Sequence, residues 1–333
     1  MLEHVGILLV ALSALVWSAD KFVLGASSLA RNLGVSPMII GLTIVAMGSS
    51  APEMMVAATA SFHGNPDTAI GNAIGSNITN IALVLGITVL VKPLIISSST
   101  IKQELPLLLI LTIVAYWILS DNFFSFPEGV ALMVSFFGFI SILLIKAIKQ
   151  RKNNNIDDLM IIEAEQELPE ATSTAKSLFW LLIGIILLVL SAHFLVDSSI
   201  FIAKAYGISD LVIGLTIIAI GTSLPELAAS VASILKKEDD LAMGNIVGSN
   251  IFNILAVLPF AGIIAPGEIN PDASFRDAPV MIAITGLLFI LCFSRKSGYF
   301  RLTRAKGALL LLCFFAYQVL LFSQTTISQT TIN

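Results

Sequence analysis

Charge is scarce in this sequence. Only 12% of its 333 residues are charged, while 56% are hydrophobic and the mean hydropathy is +0.94. A soluble domain carries about a quarter charged residues, so a large water-soluble catalytic or nucleic-acid-binding domain is excluded. Cysteine is almost missing. Cys292 and Cys313 both lie in apolar runs, which excludes a disulfide framework. A basic leader is missing too: the first apolar stretch begins at Val5 behind acidic Glu3, so no signal peptide is expected. The net charge of −4 says little about partners.

What is present is a series of long apolar runs divided by short polar or Pro/Gly breaks. Ten spans are expected, at Val5–Ala19, Met38–Ser61, Ile70–Val91, Leu105–Ser120, Glu128–Ile148, Leu178–Val196, Leu211–Leu235, Leu241–Ile264, Ala278–Phe293 and Ala305–Phe322. Several fall short of the ~20 residues a bilayer requires, so their end turns should extend into flanking residues. With the N-terminus outside, 16 of the 18 Lys and Arg residues fall at inside loops and helix ends, leaving only Lys204 and Arg276 outside. That bias fits ten spans with both termini outside. Asp20 with Lys21 is expected at an interfacial helix end, and His193 with Asp197 near the end of span six. The only long polar segment, 149–176, opens basic and turns acidic at Asp157, Asp158, Glu163, Glu165, Glu167 and Glu170. It reads as a cytoplasmic linker between repeats at 1–148 and 177–333, and it lacks EF-hand spacing.

The chain contains itself twice. Ile40–Glu53 (IGLTIVAMGSSAPE) and Ile213–Glu226 (IGLTIIAIGTSLPE) share ten of fourteen positions. Gly71–Ile81 (GNAIGSNITNI) and Gly244–Ile254 (GNIVGSNIFNI) share eight of eleven, at the same offset of 173 residues. Each half holds five spans, an odd number, so the second copy must enter the membrane in the opposite sense. This is the inverted-repeat plan of secondary transporters, with a site near the midplane between the copies.

Glu53 and Glu226 lie well inside apolar spans, where a carboxylate costs at least ~2.5 kcal/mol and usually marks an ion or proton path. The competing reading is an acid paired with a buried base. No Lys, Arg or His lies in the four repeat spans, and His193 is the only buried-looking base elsewhere. Neutralisation must then come from solution, as metal cations, protons or each in turn. Pro52 and Pro225 lack an N–H, and Gly48 and Gly221 ease unwinding, which should free carbonyls near Ala46, Ser49, Ala219 and Thr222. The hydroxyls of Ser50 and Ser223 add oxygens; an ordinary proline kink patched by Ser and Thr is the alternative. An all-oxygen set with two carboxylates suits Ca2+, which takes 6–8 oxygen ligands, and has neither the His nor the Cys that Zn2+ or Cu+ would want.

In the second motif Ser76 with Asn80, and Ser249 with Asn253, are spaced i,i+4 on one helix face. Gly71, Gly75, Gly244 and Gly248 would let helices approach closely. For Asn72, Asn77, Asn245 and Asn250, interhelical hydrogen bonding is at least as good a reading as ion contact.

These paired G-S/T-S-x-P-E and G-N-x-x-G-S-N stretches resemble the two alpha repeats of the cation/calcium exchanger superfamily, most closely its prokaryotic sodium/calcium exchangers. The resemblance covers nearly the whole chain and implies an all-α membrane protein of ten transmembrane helices. They would form two inverted five-helix repeats, with helices two and seven discontinuous. It implies that Glu53 and Glu226 bind Ca2+ together, assisted by the Ser49 and Thr222 carbonyls. Sodium would use Ala46, Ser49, Ser50, Ser76, Ala219, Thr222, Ser223 and Ser249 with the same glutamates, and Asn80 and Asn253 would complete the cluster. It also implies that helices one and six slide across the other eight. Some relatives carry Asp at the position of Asn253, and potassium-dependent members rely on an Asp in this motif. Both matching positions here are Asn, which argues against potassium coupling and leaves sodium stoichiometry open.

The expected function is exchange of Ca2+ for Na+ by alternating access in the plasma (cell inner) membrane. A Ca2+/H+ antiporter on the same fold is the nearest alternative, and a cation channel is a weaker one. An intramembrane hydrolase using Ser50 or Ser223 would need a His or Lys base that these spans lack, so no enzyme is expected. Neither a cofactor, nor a nucleic acid, nor an obligate protein partner is implied.

Overall fold

The computed structural model describes residues 2–153, 173–205, 219–293, 295–296 and 299–332. Backbone N–H and C=O groups find no water in lipid, so an apolar chain of this kind closes its hydrogen bonds within helices. In chain order these are α1 (Leu2–Leu33), α2 (Pro37–Ser49), α3 (Ala51–Phe62), α4 (Pro66–Val91), α5 (Thr100–Leu119) and α6 (Phe126–Asn153). There follow α7 (Thr174–Ala205), α8 (Ala219–Thr222), α9 (Leu224–Leu235), α10 (Asp239–Ile264), α11 (Ala273–Cys292) and α12 (Arg304–Ile332). Among the described residues, eight helices are long and apolar enough to cross a membrane; α2 with α3, bent by 47°, makes a ninth if taken as one span. The expected seventh span is described only from Ala219, so 211–218 lie outside the described residues, as do the acidic positions Asp157 to Glu170.

Several helices overrun their expected ends. α1 continues past Asp20 and Lys21 to Leu33, a length of ~48 Å at 1.5 Å per residue. Asp20 does not end it, because its carboxylate is paired from outside, with Lys236 Nζ at 2.7 Å. The helix stops where Gly34 turns left-handed (φ 64°), with Val35 N–H donating to Ala30 O and Gly34 N–H to Arg31 O. α7 likewise runs through His193 and Asp197, which pair at 3.2 Å with both side chains more than half exposed. His193 is therefore not a buried base, and Lys204 sits on a helix, not in a loop. The linker expected at 149–176 is helical at both ends, to Asn153 and from Thr174. The two cysteines are free.

The apolar side chains form two separate clusters. The larger draws on α2 to α6 and α9 to α12 and includes the fully buried Ile81, Leu85, Val247 and Ile254. The smaller joins Phe22, Ala26 and Leu29 of α1 to Leu181 and Leu188 of α7, with Ile40 and Val45 of α2 against them. α1 and α7 approach to backbone contact: a Cβ on Gly184 would lie 2.6 Å from Phe22 Cα, and one on Gly25 would collide with the Leu181 amide.

α4 and α10 are the buried centre of the larger body and run antiparallel. The chain leaving α4 donates Ile95 N–H to Asp239 Oδ2 at the start of α10 (3.0 Å). At the other end, Asn270 N–H after α10 donates to Asp67 Oδ1 at the start of α4 (2.7 Å). Short strands close each end. β1 (Leu94–Ile96) pairs with β5 (Tyr299–Leu302), which also pairs with β4 (Arg295–Lys296); β2 (Phe123–Phe124) pairs with β3 (Gly267–Glu268). Both central helices also loosen into π-helical turns at matching places, Asn80–Leu85 and Asn253–Val257. Such turns occur often at functional sites.

Candidate functional site

Both G-S/T-S-x-P-E copies fold as a helix interrupted at its serine. Ser50 (φ −86°, ψ 8°) separates α2 from α3, and Ser223 (φ −91°, ψ 6°) separates α8 from α9. Pro52 and Pro225 occupy the first turns of α3 and α9, where a missing N–H costs no helical bond. The carbonyl that Pro52 leaves without its helical donor is that of Gly48, four residues back. The expectation of a freed Ala46 carbonyl is corrected: it accepts Ser50 N–H at 2.9 Å and Ser49 Oγ at 3.4 Å. In the second copy Ser223 N–H turns to Ile220 O instead (3.1 Å). The glycines also do more than ease unwinding. A Cβ on Gly48 would lie 2.6 Å from Ile185, and one on Gly221 would strike Val196, so both make room for α7.

Glu53 and Glu226 fall in the first turns of α3 and α9 and have no exposed surface. A helix N-terminus carries partial positive charge, which favours an ionised carboxylate there. The two side chains are electrostatic neighbours across the break, and Ser50 Oγ of one copy donates to Glu226 Oε1 of the other at 3.2 Å. The remaining three carboxylate oxygens are buried without a hydrogen-bond partner among the described residues.

Neutral polar side chains join the glutamate-bearing segments to α4 and α10. Ser49 Oγ donates to Asn245 Oδ1 (3.1 Å) and sits 3.4 Å from Ser249 Oγ. Asn72 and Asn245 each donate Nδ2 to the carbonyl of the preceding glutamate, Glu53 at 3.1 Å and Glu226 at 3.3 Å. These two asparagines thus make the interhelical bonds expected of them. Asn77 links α4 to α10, accepting Asn253 Nδ2 at 3.1 Å. Ser223 Oγ, both amide atoms of Asn80 and Asn250, and Asn253 Oδ1 are buried without partners among the described residues.

Contacts therefore draw Ser49, Ser50, Glu53, Glu226 and Ser249 into one network with Asn72 of α4 and Asn245 of α10, while Asn253 bonds to Asn77 instead. Ser76 and Asn80 are buried on α4, four residues apart, while Ala219 and Thr222 are the ends of α8. Ser230 was not foreseen: its Oγ accepts Asn245 Nδ2 at 3.0 Å and steadies that amide. The repeat hides it, because the matching position of the first copy is Ala57. Two carboxylates amid hydroxyls and amides, with no cationic side chain among the described contacts, can hold a dehydrated cation or a proton.

Known proteins agree with this architecture. The family model described as sodium/calcium exchanger protein matches residues 3–145 and 176–323, which takes in both halves. CaxA of Alkalimonas amylolytica is 54% identical, covering 95% of this chain and 97% of its own. The inner membrane protein YrbG of Escherichia coli (strain K12) is 40% identical, covering 89% and 90%. Among solved structures, the sodium-calcium exchanger NCX_Mj soaked with Na+ and Sr2+ superposes with a TM-score of 0.78 at 32% identity, over 95% of this chain and 97% of that one. The chain belongs to the sodium/calcium exchanger protein family, and is a membrane antiporter, not an enzyme.

Proposed function

We propose that this protein exchanges Ca2+ for Na+ through a single site exposed alternately to the two sides of the membrane. The observation that supports it most is the pair of fully buried glutamates, with three of their four oxygens lacking any partner among the described residues. Such carboxylates are costly in a low-dielectric interior unless a counter-charge joins them. Glu53 and Glu226 are read as the shared ligands of Ca2+. The Ser49 and Thr222 carbonyls assist them, and the Ala219 carbonyl with the hydroxyls of Ser50, Ser76, Ser223 and Ser249 serves Na+. Asn80 and Asn253, with orphaned amide atoms at the start of matched π-turns, complete the cage. Oxygen is the only donor element needed, which suits Ca2+, and the ions are cargo.

Ten spans in two inverted halves, 1–148 and 177–333 about the linker 149–176, remain our reading of the architecture. The antiparallel run of α4 and α10 supports it, as do strands that recur near the 173-residue offset at opposite ends. The small α1/α7 cluster, separate from the main core, supports a sliding pair of helices. An inner-membrane location with both termini outside follows from the likeness to YrbG and the distribution of Lys and Arg.

The test is calcium flux into everted vesicles under an imposed sodium gradient, at fixed pH with an uncoupler present. Flux that follows the sodium gradient is the expected result. In a second assay without the uncoupler, flux that follows only an imposed pH gradient would assign protons as the counter-ion, and flux independent of both gradients would indicate a channel.

A further inference from the structure

α5 and α11 begin with matched turns. Thr100–Glu104 and Ala273–Asp277 are both π-helical, 173 residues apart, and each ends in a carboxylate. Their chemistry differs. Asp277 is saturated: Arg276 donates Nε to Oδ1 at 2.7 Å and Nη2 to Oδ2 at 2.9 Å, and Tyr317 Oη donates to Oδ1 at 3.0 Å. In the first half Gln103 stands where Arg276 does, and Leu144 where Tyr317 does. Glu104 is only 9% exposed, and its Oε2 has no hydrogen-bond partner among the described residues. Its charged neighbours are Lys146 and Asp240.

Glu104, Gln103 and Lys146 form the polar end of a groove of about 300 Å³ between α5 and α6. Apart from Ser135 at the far end the rest of it is apolar, with Leu107, Leu111, Phe139 and Ile142 as walls and Leu42 and Leu255 as the floor. It is open at Gly138, where a Cβ would meet nothing within 4 Å. From Lys146 to Ser135 the groove follows α6 for about 16 Å at 1.5 Å per residue, the reach of much of one acyl chain. Lys146 gives one hydrogen to Gln103 Oε1 at 2.8 Å, and an ammonium has three to give.

Such a groove fits an amphiphile whose head carries both signs of charge. An acid head alone would confront Glu104. A choline head would present methyl groups that cannot donate to Oε2. A primary ammonium beside a phosphate satisfies both side chains at once. We infer that this groove binds phosphatidylethanolamine, its ammonium on Glu104, its phosphate on Lys146 and one acyl chain over Leu42 and Leu255. The second half has no counterpart, because Arg276 and Tyr317 already occupy Asp277.

The test uses the purified full chain in detergent, offered phosphatidylethanolamine, phosphatidylcholine or phosphatidylglycerol with identical acyl chains. Native mass spectrometry reads lipid retention, with the thermal midpoint as a second readout. The wild type should retain phosphatidylethanolamine about tenfold better than phosphatidylcholine, the size of one charge-assisted hydrogen bond. Glu104→Gln should bring that ratio near one. Gly138→Phe, which fills the groove, should remove all three lipids, whereas Gly286→Phe, at an equally open site on α11, should change nothing. Equal retention of the three lipids by the wild type, or undiminished phosphatidylethanolamine on Gly138→Phe, overturns the assignment. Neither readout involves ion exchange, so this inference stands or falls apart from the proposed function, and the wild-type selectivity decides it even if a variant fails to fold.

Discussion

The two G-N-x-x-G-S-N copies are nearly the same sequence in two different settings. On α10, Gly244 and Gly248 are pressed against α2, so that a Cβ would lie 2.7 Å from Met38 O and from Ala46 Cβ respectively. On α4, a Cβ at Gly71 or Gly75 would meet nothing within 4 Å. Asn245 is fully buried in three hydrogen bonds, to the Glu226 carbonyl, Ser230 and Ser49, while half-buried Asn72 makes one, to the Glu53 carbonyl. Asn77 and Asn253 are bonded, whereas their counterparts Asn250 and Asn80 have no partner among the described residues. Glu226 receives Ser50, but among the described residues neither oxygen of Glu53 nor Ser223 Oγ has a partner. Duplicated chemistry is thus held in an unequal pair of environments. Under alternating access that inequality is the quantity a transport step would reverse.

The comparison is broken most decisively at the glutamates. If both act on one cation, Glu53→Gln and Glu226→Gln each abolish calcium exchange in vesicles despite their different surroundings. Neither should lower the thermal midpoint in detergent, since each removes a buried unpaired charge. Normal exchange by either variant would end the shared-site reading. A smaller contrast lies in the asparagines. Asn245→Ala should cost roughly 2–3 kcal/mol of stability, because it strands buried partners, and Asn72→Ala about 1 kcal/mol. Equal losses in denaturation would show the two copies to be packed alike.

How much of this could be read in the sequence depends on whether a residue's role is local or relational. Glu53 and Glu226 stood out because a carboxylate inside an apolar span is anomalous on its own, and repetition removed chance. Local unwinding near Pro52 and Pro225 followed from their missing N–H, but its place at Ser50 and Ser223 did not. Nor did the role of Gly48, since the reason for its missing side chain is Ile185, 137 positions away. The full length of α1 was hidden for the same reason: Asp20 reads as a helix end until Lys236 is seen across from it. Ser230 stands opposite Ala57 in the repeat, and Glu104 is matched by Asp277 but not by its partners Arg276 and Tyr317, so a repeat-guided reading passes over both.

Packing around the glycines sharpens the comparison next. Gly248→Ala should destabilise by roughly 1–3 kcal/mol through overpacking against Ala46. Gly75→Ala should be neutral or stabilising by up to about 1 kcal/mol, as expected of Gly in an open helix position. Thermal melts of the pair check this, and matching losses would contradict the asymmetry. The smallest effect belongs to the turns that follow α3 and α9. Both end left-handed, at Gly64 (φ 72°) and at Lys237 (φ 64°), closed by the same pair of backbone bonds. Lys237→Gly should therefore stabilise by about 0.5–1 kcal/mol, and Gly64→Ala should destabilise by about 1 kcal/mol.

The central claim, that one acid from each half grips the same divalent ion, is tested most directly by equilibrium binding of radioactive calcium to the purified protein. The account predicts saturable binding that sodium displaces, lost entirely in Glu53→Gln and equally in Glu226→Gln while both variants keep wild-type melting behaviour. Calcium retained at undiminished affinity after either single substitution would contradict it.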